Sequence, residues 1–187
     1  VAAAASETNL LKKVNPMTAH SKALPTATDS NCFRQAVALF ATGIAVVTTE
    51  SDSGEVHGMT VNSFTSISLD PPTVMVSLKP GRMHDLISHS GRYAVSILCE
   101  HQQAFSAYFS KRVLDGSPAP AFATQANLPT LDGALAWFEC ELDKSVVVHD
   151  HTLFIARVTA CGRSEHHAPQ PLLFYASRYH CKPSPLV

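Results

Sequence analysis

Charge is scarce in this chain of 187 residues, and neither sign prevails. Lys and Arg number 14, Asp and Glu 15, the formal net charge is -1, and charged residues make up 16%. Without a basic excess there is no electrostatic footprint for nucleic acid or for an anionic membrane surface. No apolar run approaches the roughly 20 residues of a membrane-spanning helix. The five cysteines are odd in number, widely spaced and free of any C-x-x-C pair. That leaves neither a disulfide framework nor a thiolate zinc site, and they read as free thiols of a reducing cytoplasm. No G-x-G-x-x-G follows a strand, and there is no Walker A loop and no G-x-S-x-G elbow. The usual dinucleotide fold, the P-loop hydrolases and the α/β-hydrolases are thereby set aside. No internal repeat is present.

What is present is apolar: 45% of residues are hydrophobic. The length favours one domain with a real core, and the weakly charged surface leaves room for an oligomer interface. Residues 1–30 read as a disordered tail, within which Met17 is a candidate natural start. Residues 31–187 then form the domain. Asp29 and Ser30 are N-cap candidates for a helix carrying Phe33, Val37 and Phe40 at helical spacing. β-rich segments follow at 43–49, 57–63, 73–78, 92–98, 134–142, 145–148, 151–160, 172–175 and 178–180. Helices are expected over 84–90, with Leu86 and Ile87 inward, and over 101–110. The loop 115–129, punctuated by Gly116, Pro118, Pro120 and Pro129, is long enough to suggest a functional or interface role. Short strands joined by tight turns predict a mainly β, antiparallel barrel with peripheral helices.

One stretch organises the rest: Gly58-Met59-Thr60-Val61-Asn62-Ser63-Phe64-Thr65-Ser66-Ile67-Ser68-Leu69-Asp70-Pro71-Pro72. It begins as an alternating strand, becomes a run of hydroxyls, and ends where two prolines forbid helix. It is either an ordinary strand with a Ser/Thr-rich turn or one wall of a site for a polar ring or a phosphate. One strand later comes the basic turn Lys79-Pro80-Gly81-Arg82, ahead of a helix. Two cations, backbone amides and a helix N-terminus together suit a phosphate, although a solvated turn has the same composition. Ten histidines raise the question of metal. His149-x-His151 would face one side of a strand, with Asp150 beside them, and His166-His167 has Glu165. No third ligand is placed by spacing, so no metal site is assigned.

The 58–72 stretch resembles the signature of the flavin reductase family, whose fold is an FMN-binding, Greek-key split barrel. These are the reductase components of two-component flavin-dependent monooxygenases. Phe40 to Thr48, Gly91 to Leu98, Leu131 to Cys140, Asp150 to Ile155, and Pro171 to Tyr175 with Arg178-Tyr179 resemble further family blocks in the same order, over about residues 33–181. Two positions depart from the pattern: His149 and Ala156 stand where the family usually has glycine.

The resemblance implies an NAD(P)H:flavin oxidoreductase, passing hydride from NADH or NADPH to FMN or FAD and supplying reduced flavin to a separate monooxygenase. It implies a homodimer with the flavin groove at the interface. It places Thr60, Val61, Asn62, Ser63 and Ser66 against the flavin ring and ribityl chain. Ser77, Leu78, Lys79 and Arg82 would lie at its phosphate, Phe109 and Ser110 at the border of the ring, and His151 at the nicotinamide. No residue is assigned as a general acid or base, because hydride transfer needs positioning rather than a proton at the reacting carbon. The same resemblance also fits a flavin-binding split barrel without turnover and a related split-barrel oxidase or corrin reductase.

Overall fold

The computed structural model describes residues 29–110, 119–123, 127–164 and 170–183. The expected tail, up to residue 28, and the His166-His167 pair lie outside them. Among the described residues there are three α-helices: α1 (Ser30–Val37), α2 (Arg82–Ser90) and α3 (Gln103–Phe109). The strands are β1 (Thr42–Gly43), β2 (Ala45–Glu50), β3 (Val56–Val61), β4 (Thr65–Leu69), β5 (Pro72–Leu78) and β6 (Arg92–Ile97). They continue with β7 (Phe122–Ala123), β8 (Thr130–Leu131), β9 (Ala136–Val148), β10 (His151–Arg163), β11 (Leu173–Tyr175) and β12 (Arg178–His180). Seven strands form one sheet in the order β3-β2-β6-β9-β10-β5-β4, antiparallel at each pairing. Strands β2 with β6, β6 with β9, and β10 with β5 are neighbours without being consecutive, the crossing connections of a Greek key.

The sheet encloses the main core. Ala45 and Val47 of β2 meet Val76, Tyr93, Val95 and Phe154 there. Val46 points the other way, into a second cluster with Ile44, Leu98, Leu131 and Leu172. Strand β2 is therefore buried on both faces, which is why its apolar residues run without alternation. Each Val-sized side chain so buried contributes about 1.5–3 kcal/mol. Its Thr49 hydroxyl donates to the Arg92 carbonyl at 2.8 Å, so the polar group is satisfied inside.

One hydroxyl closes the barrel. Ser63 Oγ donates to the Ser77 carbonyl at 3.0 Å and accepts from the Ser77 N–H at 3.1 Å. Strands β3 and β5 are not paired in the sheet, so this side chain stitches a seam that backbone pairing leaves open.

Several local expectations are corrected. The hydroxyl run is not a turn: Thr65 to Leu69 is the edge strand β4, hairpinned to β5, with Ile67 as an extra residue between Ser66 and Ser68. Thr65 and Ser66 are exposed, whereas Ser68 Oγ donates to the Asp70 carbonyl and accepts from the Asp70 N–H, both at 3.1 Å. The gap between two expected strands at Asp143-Lys144 is likewise a bulge, since Lys144 pairs with Ile155 and Leu142 with Ala156. Ala156, where glycine was expected, is fully buried at that bulge. Helix α2 turns Met83 and Ile87 inward, one turn apart, whereas Leu86 is only half-buried. Helix α1 is capped by Asp29, whose side chain accepts from the Asn31 N–H. It ends at Val37, short of Phe40, and buries none of its residues.

Candidate functional site

Where the seam ends, two hollows adjoin. The first, about 540 Å³, lies between β3, the turn 79–81, the start of α2 and the end of α3. Its lining includes His57, Gly58, Thr60, Lys79, Arg82, His84, Phe109 and Ser110. The second, about 270 Å³, is lined by residues 59–63, 77–79 and His151, and the two share Met59, Thr60 and Lys79. Eleven expected site residues thus meet in one groove: Thr60, Val61, Asn62, Ser63, Ser77, Leu78, Lys79, Arg82, Phe109, Ser110 and His151. Ser66 is not among them. It sits exposed on β4, paired with Val74, because the hydroxyl run continues as an edge strand instead of turning into the groove.

The side chains of these eleven have different tasks. Val61 and Leu78 are buried in the main core, so only their backbone faces the groove. The Thr60 hydroxyl donates to the Ser106 carbonyl at 2.8 Å, and Ser106 Oγ is 2.8 Å from the Tyr179 hydroxyl. Thr60 therefore ties β3 to α3 and to the C-terminal hairpin. Ser110 Oγ donates to the Ala107 carbonyl at 3.1 Å, closing the end of α3. Asn62 is exposed and its amide has no partner among the described residues. It offers both a donor and an acceptor to a planar imide edge.

Phe109 forms a wall because of Gly58. A Cβ on Gly58 would lie 2.4 Å from the Phe109 ring, so only glycine lets the ring settle on the strand. Opposite stands the N-terminus of α2. Its N-cap, Gly81, has φ 154°, a conformation that disfavours side chains, and supplies no capping acceptor. The amides of the first helical turn are left without intrahelical partners.

Both cations of the basic turn are already paired. Lys79 Nζ is 3.0 Å from Asp150 Oδ2. Arg82 Nη2 donates to Glu55 Oε2 at 3.2 Å and to His57 Nε2 at 2.8 Å. Asp150 also accepts from His151 Nδ1 at 2.8 Å. Hydrogen bonds from Lys79 and then His151 hold the Asp150 carboxyl down at about 2. His84, half-buried, has Nε2 3.0 Å from the Thr152 hydroxyl and Nδ1 3.1 Å from Asp85, and its ring stands edge-on to Phe154. Sequence reasoning missed Glu55, His57 and His84. Glu55 and His57 belong to the far end of a different hairpin, and nothing in linear order joins them to Arg82.

The reading of His149 and His151 as residues of one strand face is also corrected. His149 sits in the tight β9–β10 turn with φ 52°, the left-handed region that glycine normally fills. Among the described residues no group of three or more His, Cys, Asp or Glu could hold a metal ion. All five cysteines are free, and burial pushes the Cys140 thiol up to about 12, far from a reactive thiolate. Among the described residues no helix is long and apolar enough to cross a membrane.

The donor set fits a flavin mononucleotide moiety. An amide partner lines one hollow, an aromatic wall stands with Arg82 and the free helix amides in the other, and Lys79 belongs to both. Comparison with known proteins agrees. Residues 37–182 match the flavin reductase like domain. An NADH-dependent flavin reductase, StyB, from Pseudomonas fluorescens is 72% identical over 158 residues, covering 84% of this chain and 93% of that protein. An NADH-dependent flavin reductase from a Rhodococcus species is 37% identical over 149 residues, 78% of this chain and 82% of its own. The solved structure of the styrene monooxygenase flavin reductase from Pseudomonas putida S12 aligns with TM-score 0.77 at 71% identity, covering 82% of this chain and 99% of that one. The chain belongs to the flavin reductase family.

Proposed function

We propose that this chain takes hydride from NADH, passes it to FMN or FAD, and releases the reduced flavin to a separate monooxygenase. The observation that carries the reading is the convergence of Asn62, Lys79, Arg82 and Phe109 on one groove, in a chain 72% identical to an NADH-dependent flavin reductase. The bound flavin supplies the hydride acceptor. The chain's residues supply shape and charge. Asn62 and the backbone of residues 60–63 take the ring edge, and Phe109 walls it. Lys79, Arg82 and the α2 amides take the phosphate, and Ser77 holds the seam beneath. His151, which lines the second hollow with Lys79, stacks on or hydrogen-bonds the nicotinamide. No general base is required, since proximity and alignment set the rate of hydride transfer.

The partner we favour is a styrene monooxygenase, following the name of the relative of known structure. We further propose a homodimer. Phe33, Val37, Leu39 and Phe40 around α1, and Ile67 and Leu69 on β4, are large apolar side chains left exposed in the single chain. Residues 31–187 are read as one domain. The free thiols suit a cytoplasmic setting.

The test is direct. Purified protein is expected to oxidise NADH only when FMN or FAD is added, with NADPH a poorer donor. Flavin binding without flavin-dependent oxidation of either nucleotide would instead mark a passive flavin binder. Light scattering at micromolar concentration is expected to give twice the mass of one chain.

A further inference from the structure

Two clusters of the same composition flank the groove. In one, Glu55 Oε2 lies 3.2 Å from Arg82 Nη2 and 3.4 Å from His57 Nε2. In the other, Asp150 lies 3.0 Å from Lys79 Nζ and 2.8 Å from His151 Nδ1. Each is a cation, a carboxylate and a histidine. The cations and histidines line the hollows, whereas the carboxylates come from the β2–β3 and β9–β10 turns and do not line them. Both carboxylates are exposed, with about two-thirds of each side chain accessible.

Exposed ion pairs contribute little to the stability of a fold. Their position here gives them another effect. A phosphate dianion entering the groove meets cations that already have an anionic partner. It must displace that partner or share the cation with it, and in both cases a like charge stands close by. The oxidised isoalloxazine ring carries no such charge, so riboflavin is unaffected. An enzyme that hands its reduced flavin to another protein gains from this, because the product must leave.

We propose that Glu55 and Asp150 are built-in competitors for the phosphate of the flavin, keeping the nucleotide exchangeable. The inference rests on the flavin reductase reading above. It adds two residues, neither of which touches the ligand, as determinants of how long the flavin stays.

The experiment compares FMN and riboflavin binding, by flavin fluorescence and stopped-flow displacement, in the parent protein, Glu55→Gln, Asp150→Asn and the double variant. Each single variant is expected to bind FMN about two- to fivefold more tightly, the span of an exposed ion pair, mostly through slower release. Riboflavin affinity is expected to stay constant. The gain is expected to shrink as salt rises, since the competition is between exposed charges. Thermal melts check that the variants fold. If FMN affinity is unchanged or falls in both variants, the carboxylates orient their cations instead of competing, and the proposal is overturned. If riboflavin tightens equally, the effect is not on the phosphate, and it is overturned again. These failures leave the flavin reductase reading intact, because the parent still binds and reduces flavin. If the parent binds neither ligand and oxidises no NADH, the reading itself falls, and this inference with it.

Discussion

Along the wall of the groove, Gly58 against Phe109, Thr60 against Ser106, and Ser63 against Ser77 are half-buried contacts with one geometry each. Along its rim, Lys79 with Asp150 and Arg82 with Glu55 are exposed ion pairs on turns. The wall is part of the fold, so damaging it should weaken ligand and stability together. The rim is solvated, so changing it should alter ligand preference while the fold stands. Substitutions in the two regions should therefore separate cleanly.

The largest effect is expected at the wall. Gly58→Ala places a Cβ 2.4 Å from the Phe109 ring, which must swing away. Overpacking of this kind costs about 1–3 kcal/mol. FMN and riboflavin should weaken alike, and denaturant titration should show lower stability. If only FMN weakens, Gly58 belongs functionally to the rim and the comparison fails.

Ser63→Ala should come next. It removes both hydrogen bonds of the seam and leaves the Ser77 N–H and carbonyl without that partner. A loss of about 1–3 kcal/mol in urea unfolding is expected. Unchanged stability would mean that water replaces the hydroxyl and that the seam is not structural.

At the rim, replacing both Lys79 and Arg82 by Ala should weaken FMN by about 1–3 kcal/mol, the value of lost charge-assisted hydrogen bonds. Riboflavin binding and the melting temperature should barely move. Equal losses for the two ligands would place the phosphate elsewhere. His151→Ala is smaller still: the KM for NADH should rise by about five- to tenfold, equivalent to roughly 1–1.4 kcal/mol, while the flavin dissociation constant holds. His149→Ala is best measured beside it, and normal nucleotide kinetics in the double variant would make His151 structural.

The smallest effect is in acid. The folded Asp150 carboxyl titrates at about 2, below its ordinary 3.8. Its contribution to stability is therefore complete above about pH 4 and fades as pH falls toward 2. Thermal melts of the parent and of Asp150→Asn should converge across that window and stay parallel above it. Because the group is largely exposed, the gap between them should be slight. A widening gap at low pH would reverse the sign and refute the assignment.

Much of this site can be read in the linear order, and its legible part is local. Residues 58–63 and 77–82 form two ends of neighbouring segments, and alternation with turn chemistry predicts which side chains leave the core. Asp29 as a cap, the strand after Thr42 and the break between the segments 145–148 and 151–160 follow from the same short-range preferences. Short strands joined by tight turns predict the barrel, and the resemblance in ordered blocks implies its split form and the flavin. Ser66 lies on an edge strand away from the groove of the single chain: a hydroxyl-rich run reads alike as a turn or an edge strand, and only pairing with β5 separates them. Asp143 broke the apparent strand because a bulge interrupts alternation without ending the ladder.

By itself, then, the sequence determined the periodic elements, the exclusion of thiolate and dinucleotide motifs, and the residues with chemistry suited to a flavin. These depend on contacts within a few residues, and local propensity encodes them. The tertiary structure alone decided which charges meet. Glu55 reaches Arg82 across 27 positions and Asp150 reaches Lys79 across 71, separations at which no local rule specifies a partner. It also decided that Gly58 exists to seat Phe109, since the need for glycine comes from a ring 51 residues away. Such contacts arise only when the sheet closes and brings distant turns together, and that closure is a property of the whole core.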